Sequence, residues 1–208
     1  MSKKLFGVFL LAGLLLPIAV KAESVSPAWE FSTVGSQGTN GNWTFGEVFT
    51  PNQDISVDYL GYYNPTTGMA DSHPVGIFDA QGNLLASTIV DSGSTASSSH
   101  FLYNAITPIV LTAGDTYVIE GVSGIDPYAY FDNGFTVYAP ITIKGNNDVR
   151  GGGLTFNGTG LNDQVSDGYW GADFGSGAPP PVPEPSSFLL LGSGLAGLAG
   201  LIKRKLKA

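Results

Sequence analysis

Residues 75–89 read VGIFDAQGNLLASTI, and this stretch predicts a β-hairpin. Its two apolar runs, 75–78 and 84–89, each have the length of a strand. Asp79-Ala80-Gln81-Gly82 between them has the polar, glycine-containing composition of a hairpin loop. Similar short runs separated by turn residues recur from Glu23 to Gly177, and no helical period interrupts them. The sequence therefore predicts an all-β protein.

The spacing of the runs favours one jelly-roll-like β-sandwich over residues 23–177. Ile55, Val57 and Tyr59 alternate in the manner of a half-buried strand, and Leu60 breaks the alternation, which predicts a bulge or a strand end there. Ala113-Gly114-Asp115 is predicted to be a second hairpin loop. The predicted strands are 44–49, 55–62, 75–78, 84–89, 101–106, 109–111, 117–121, 135–138 and 141–143.

Composition and charge exclude several classes of protein. The 208 residues contain 29 glycines and no cysteine, so a disulfide framework and cysteine-ligated metals are excluded. Nine residues are Lys or Arg, but only two of them, Lys144 and Arg150, lie between Glu23 and Val182. The same stretch contains every acidic residue of the chain except Glu184. The excess of acidic residues in this stretch repels the phosphate groups of nucleic acids, so nucleic acid is not expected as a partner.

The N-terminal 22 residues have the order of a secretory signal peptide. Lys3 and Lys4 form a basic start, and residues 5–20 are apolar except for the break at Pro17. Val20 and Ala22 supply residues of suitable size for a cleavage site, so signal peptidase is expected to cut after Ala22. An uncleaved anchor is the alternative, but the apolar stretch is short for a membrane span.

The C-terminus combines a stiff linker with an apolar helix. Residues 178–187 are rich in proline, which favours an extended conformation. Residues 188–208 are then predicted to form a single transmembrane helix with a basic tail. The uncharged run 186–202 would rise about 25 Å as a helix, at the short end for a bilayer. Translocation is expected to stop at a basic cluster formed by Lys203, Arg204, Lys205 and Lys207.

This tail resembles the PEP-CTERM sorting signal of Gram-negative bacteria. The resemblance rests on Val182, Pro183, Glu184 and Pro185, followed by the apolar helix and the basic cluster. It implies that the membrane protease exosortase processes the chain near this motif. The protein would thus be exported, pass through an inner-membrane intermediate, and reach the cell surface or the medium.

The body resembles a family of secreted bacterial β-sandwich domains of unknown function, over roughly residues 29–140. Such domains occur in PEP-CTERM proteins and beside glycosidase or adhesion modules. The matching residues are Trp43-Thr44-Phe45-Gly46 with Phe49, Ile55-Ser56-Val57 with Leu60-Gly61-Tyr62, His73-Pro74-Val75-Gly76-Ile77-Phe78-Asp79 with Gly82, Phe101 with Tyr103, and Leu111 with Gly114 and Tyr117.

The sequence nominates no catalytic site. Neither HExxH nor GxSxG occurs, and the only histidines are His73 and His100. We interpret His73, at a strand entrance before a proline, as a structural residue that hydrogen-bonds a turn. His100, which follows a serine-rich segment, is expected to be exposed.

Aromatic residues offer the one indication of ligand binding. Two polar segments are predicted to be loops, one with Tyr128, Tyr130 and Phe131 and one with Tyr169, Trp170 and Phe174. Exposed rings stack well on sugar faces, so a binding role is predicted for Tyr128, Tyr130, Tyr169 and Trp170. The alternative is that these loops fold back and cap the core.

No metal site is predicted, although structural calcium is an open alternative. Asp and Asn supply oxygen ligands to calcium but also form tight turns. The groups considered are Asp126, Asp132 with Asn133, Asn146-Asn147-Asp148, and Asp163 with Asp167.

Three functions remain open. The first is a non-enzymatic surface or matrix protein associated with extracellular polysaccharide or biofilm, with exosortase, signal peptidase and the secretion machinery as partners. The second is a carbohydrate-binding module, and the third is a small secreted hydrolase.

Overall fold

A computed structural model describes residues 24–131, 133–162 and 169–177. These residues contain sixteen strands and no helix. The first eight strands are β1 Val25–Pro27, β2 Trp29–Glu30, β3 Ser36–Gly38, β4 Trp43–Pro51, β5 Ile55–Tyr63, β6 His73–Asp79, β7 Leu84–Val90 and β8 Ala96–Ser97. The others are β9 Phe101–Leu111, β10 Tyr117–Val122, β11 Tyr128–Tyr130, β12 Thr136–Val137, β13 Ile141–Asn146, β14 Val149–Arg150, β15 Tyr169–Trp170 and β16 Ala172–Gly177.

Two antiparallel sheets form the predicted β-sandwich. One has the order β1-β16-β5-β9-β8 and the other β13-β4-β10-β6-β7, with β14 continuing beside β4. Alternate residues of each strand point inward and meet between the sheets. Phe49 of β4 stacks on Phe174 of β16, with ring centroids 4.9 Å apart. Val57 and Ile77 are fully buried in the same core.

The two predicted loops differ in what they connect. Asp79-Ala80-Gln81-Gly82 joins the paired strands β6 and β7, which confirms the hairpin. Its Asp79 carboxylate accepts hydrogen bonds from the backbone N–H groups of Gln81 and Asn83. The second prediction was wrong: Ala113-Gly114-Asp115 leads from β9 to β10, which lie in different sheets. Both segments have turn composition, but β9 and β10 do not pair with each other: β9 pairs with β5 and β8, and β10 pairs with β4 and β6.

The break predicted at Leu60 is a small irregularity slightly earlier in the ladder. Val57 pairs with Ile109 and Tyr59 with Ala105, so the extra residues lie on β9 and β5 continues to Tyr63. Pro108 falls within this irregularity, where the missing N–H of proline is tolerated. The two predicted runs 101–106 and 109–111 are therefore one strand, β9.

Candidate functional site

The predicted aromatic residues lie on two short paired strands at one end of the sandwich. β11 pairs with β15 and with β3 to make a separate three-stranded sheet. The Tyr169 ring lies 5.6 Å from the Tyr128 ring and 5.8 Å from the Tyr130 ring. Tyr130 and Tyr169 are half-buried, whereas Tyr128 is buried. The strands replace the predicted loops because backbone pairing between β11 and β15 is non-local.

Trp170 and Phe174 face the core instead. Trp170 is 2% exposed and packs on Trp29 and Phe135, with ring centroids 6.2 Å and 4.5 Å away. Phe174 lies in β16 rather than in a loop and is equally buried. Alternation along β15 and β16 explains this, since Trp170, Ala172 and Phe174 share the inward face. Of the four predicted binding residues, only Tyr130 and Tyr169 therefore present partly exposed rings.

A cleft of about 180 Å³ opens beside these rings. We call it the aromatic cleft. Two of its lining residues are polar: Asn40, which accepts a hydrogen bond from the Trp43 indole at 2.6 Å, and Asp148. The Arg150 guanidinium lies over the Trp43 ring, 5.5 Å from its centroid. The lining residues are Asn40, Trp43, Phe45, Tyr128, Asp148 and Tyr169.

The backbone beside the cleft is strained at Phe131. This residue has a φ of 55° and is the one non-glycine residue with positive φ in the described part of the chain. Its side chain is 58% exposed, and its ring lies 5.1 Å from that of Tyr130. A Cβ on Gly35 would come within 1.7 Å of the Phe131 carbonyl oxygen, so only glycine fits there. Such strain in a bulky residue concentrates at functional sites.

The cleft and Gly177, the last described residue, lie at opposite ends of the sandwich. β16 starts beside the cleft, two residues after Trp170, and ends at Gly177, which pairs with Val25 of β1. From Tyr169 to Gly177 the extended chain spans about 26 Å. The linker to the sorting tail therefore leaves the domain at the end away from the aromatic rings.

His73 has the structural role predicted for it. Its ring is fully buried and stacks flat on Tyr62, with centroids 4.0 Å apart. Its Nδ1 is 2.9 Å from the Val122 carbonyl oxygen, and its Nε2 is 3.0 Å from Asp126 Oδ2. That carboxylate oxygen also accepts hydrogen bonds from the backbone at Ala70 and Asp71. The histidine therefore holds two connecting segments together.

His100 is not simply exposed, and that expectation was wrong. Its Nδ1 lies 2.7 Å from Glu30 Oε1, and its ring stacks on Phe31. The Ser98 hydroxyl donates to Glu30 Oε2 at 2.9 Å. The carboxylate therefore stands between serine and histidine, unlike the serine–histidine–acid order of hydrolases. Sequence separation hid the pair, because Glu30 reaches β9 only after the N-terminal segment folds over the sheet.

Two buried glutamates were missed by the sequence analysis. Glu120 of β10 faces outward from the sandwich core and is covered by the segment 151–162. It accepts hydrogen bonds from the Asn157 backbone N–H and side-chain amide, both at 3.0 Å. Burial raises the Glu120 pKa to about 9. A carboxylate inside an apolar strand such as YVIEGV was the available signal.

Glu47 lies on the opposite face of its sheet, between Phe45 and Phe49 in sequence. It is 1% exposed, and the Asn146 side-chain amide donates to its Oε1 at 2.5 Å. Its Oε2 has no hydrogen-bond partner among the described residues, and neither has Asn146 Oδ1. Burial raises the Glu47 pKa well above its ordinary value, and the nearby Asp148 carboxylate adds to the effect.

The acidic groups considered for calcium have different surroundings. Asp126 is engaged by His73, and Asn133 pairs with Thr33 in a bridge, whereas Asn146, Asn147 and Asp148 are buried together. Asp132, Asp163 and Asp167 lie outside the described residues. No three or more His, Asp or Glu side chains in the described ranges are placed to hold a metal ion.

The targeting segments also lie outside the described residues. These include the predicted cleavage site at Ala22, the motif Val182 to Pro185, and the basic cluster with its helix. Within the described ranges, no helix has the length and apolar character needed to cross a membrane.

Two family models match the chain. The domain of unknown function DUF4082 matches residues 30–170, and the PEP-CTERM protein-sorting motif matches residues 181–205. No curated protein matches. Because the first match covers more than half of the sequence, the chain belongs to the DUF4082 family. The sorting motif confirms the resemblance of the tail and implies an exported protein that exosortase processes and routes to the cell surface or beyond.

Proposed function

We propose that this chain is a non-enzymatic surface or matrix protein that associates with extracellular polysaccharide. The contact is made through the end of the sandwich that holds the aromatic cleft, which we call the aromatic end. The observation that carries the proposal is the aromatic cleft, which the half-buried ring of Tyr169 lines, with the half-buried ring of Tyr130 5.8 Å from that of Tyr169. Flat rings stack on the apolar faces of sugars, while the few polar groups orient the hydroxyls.

The chemistry of the cleft suits one sugar ring or the edge of a chain. Its volume of about 180 Å³ is below the range of roughly 300–1,000 Å³ for enclosed small-molecule pockets. Asp148 and Asn40 offer oxygen acceptors for hydroxyl groups, and the rings of Trp43 and Tyr169 supply apolar contact. A polymer can run over such a surface and place one unit at a time in the cleft.

The position of the cleft supports the same function. The linker to the sorting tail leaves from Gly177, at the opposite end of the sandwich. While the tail holds the protein at the membrane, the cleft lies at the end of the sandwich away from Gly177, where the linker starts. A polymer outside the cell therefore reaches these rings without obstruction by the bilayer.

A non-enzymatic role fits the arrangement of the carboxyl groups. Glycoside hydrolysis requires two carboxyl groups that flank one bond, about 5–10 Å apart and both in contact with substrate or water. Asp148 lines the aromatic cleft, but Glu47 does not and is 1% exposed. Substrate in the cleft would therefore meet one carboxyl group.

Co-sedimentation with extracellular polysaccharide from the producing bacterium tests the proposal. The full chain should sediment with the polymer, and Tyr130→Ala and Tyr169→Ala should each weaken binding by about two- to tenfold. Tyr138→Ala is the matched control, because Tyr138 is 62% exposed and lies with Val25 at the other end. Equal binding by all variants, or no binding by the wild type, would contradict the proposal.

The same samples distinguish the other functions. A dedicated carbohydrate-binding module would bind short oligosaccharides in calorimetry as tightly as it binds the polymer. A hydrolase would release new reducing ends, and this result would contradict the non-enzymatic role.

A further inference from the structure

A buried polar group beneath the aromatic cleft suggests a function that neither the family nor the sorting motif assigns. Glu47 of β4 lies directly opposite Asn146 of β13 in the ladder. Asp148 follows Asn146 by two residues and therefore points to the same face. We call these three residues the acidic cluster. Asp148 also lines the aromatic cleft, so the cluster adjoins an opening to solvent.

The acidic cluster contains oxygen atoms that the described residues do not satisfy. Glu47 Oε2 and Asn146 Oδ1 have no hydrogen-bond partner there, and both side chains are more than nine-tenths buried. The two side chains touch, since the Asn146 amide donates to Glu47 Oε1. An unsatisfied buried carboxyl or amide oxygen is costly, so an ion or a solvent molecule at this place would stabilise the fold.

The basic residues of the domain contact other groups. Lys144 Nζ donates to the Thr116 hydroxyl at 2.9 Å. The Arg150 guanidinium donates to the Asn40 carbonyl and lies over the Trp43 ring. These are the only Lys and Arg residues between Glu23 and Val182. Neither basic side chain therefore contacts Glu47 through a hydrogen bond that the structure describes.

We infer that Glu47, Asn146 and Asp148 bind a calcium ion that enters from the aromatic cleft. The donor set is two carboxyl groups and one amide oxygen, which are ligands that Ca²⁺ accepts alongside water. Mg²⁺ fits less well, because it gives up its own water reluctantly and demands a stricter geometry.

The first test is calcium binding by the full-length chain in detergent after treatment with a chelator. Ca²⁺ should bind with a Kd at or below about 1 mM, the weakest range of extracellular calcium modules. At about a hundredfold excess over Kd, the melting temperature should rise by roughly 5–10 °C, and Mg²⁺ should raise it less. Tb³⁺ in the site should luminesce on excitation of the cleft aromatics, and Ca²⁺ should displace it.

Three variants locate the ion. Glu47→Gln and Asp148→Asn should each weaken Ca²⁺ binding at least tenfold, while Asp115→Asn, an exposed acidic residue near β10, should bind like the wild type. Glu47→Gln should keep the calcium-free melting temperature or raise it, since it removes a buried carboxyl group. If a variant fails to fold, Tb³⁺ titration of the wild type still tests whether an ion binds beside the cleft aromatics. Absence of both Ca²⁺ binding and sensitised Tb³⁺ emission, or wild-type affinity in Glu47→Gln, would overturn the inference.

Discussion

Val25 pairs with Gly177 across the ladder between β1 and β16, so the first and last described strands are neighbours at one sheet edge. The predicted signal peptide precedes the first of these strands, and the sorting motif follows the second. The two ends of the described domain therefore lie side by side. Its aromatic end lies at the other side of the sandwich.

Gly175→Val should disrupt the pairing between β1 and β16. A Cβ at Gly175 would lie 2.4 Å from a Val25 methyl carbon and 2.6 Å from the Ser26 carbonyl oxygen. The backbone of β1 cannot give way without losing its pairing. We expect a loss of about 1–3 kcal/mol in the free energy of unfolding, measured by urea denaturation. Gly153→Ala, where a Cβ meets nothing within 4 Å, is the control and should change stability little.

The sandwich should fold without its targeting segments. A fragment of residues 23–177 should unfold cooperatively on heating. Val57→Asp or Ile77→Asp should abolish that transition, because both side chains are fully buried and a lone carboxylate would lose its hydration. Ser87→Asp, at an exposed position of β7, should melt close to the wild type. Unchanged melting of both core variants would refute the core assignment.

Glu184→Ala should block processing but not membrane insertion. The predicted apolar helix and the basic cluster are untouched by this change, so full-length protein should accumulate in the inner membrane of a host that has exosortase. Replacement of Lys203, Arg204, Lys205 and Lys207 by neutral residues should instead let some chains pass through the membrane. Both variants are monitored by cell fractionation and by the mass of the C-terminal peptide. Wild-type trimming of Glu184→Ala would show that the motif is not a processing signal.

The strands were predictable from sequence because they depend on local alternation and turn composition. The hairpin from Val75 to Ile89 was predictable because its two strands are adjacent in the chain and pair with each other. The assignment of Leu111 and Tyr117 to different sheets could not be predicted, because each of them pairs with residues that are distant in the sequence. Glu47 and Glu120 were missed for the same reason: their burial depends on Asn146 and Asn157, which reach them only in the folded domain.

Stability should fall as the pH rises from about 5 to 9, and Glu120 should account for part of this slope. Burial raises the Glu120 pKa to about 9, far above its unfolded value near 4.5. The folded state therefore keeps a proton that the unfolded state releases, at up to about 1.4 kcal/mol per pH unit. Glu120→Gln should flatten the dependence, measured by urea denaturation at several pH values. An unchanged slope would show that Glu120 is ionised in the folded state.

Retention of the protein in the extracellular matrix tests the central claim most directly. The double variant Tyr130→Ala/Tyr169→Ala and the control Tyr138→Ala would each replace the wild-type gene in the producing bacterium. Protein in the matrix, the medium and the membrane would then be measured after equal processing by exosortase. Binding through the aromatic end predicts that the double variant moves from matrix to medium by about fourfold or more, while the control stays with the matrix. Equal retention of all three proteins would contradict it.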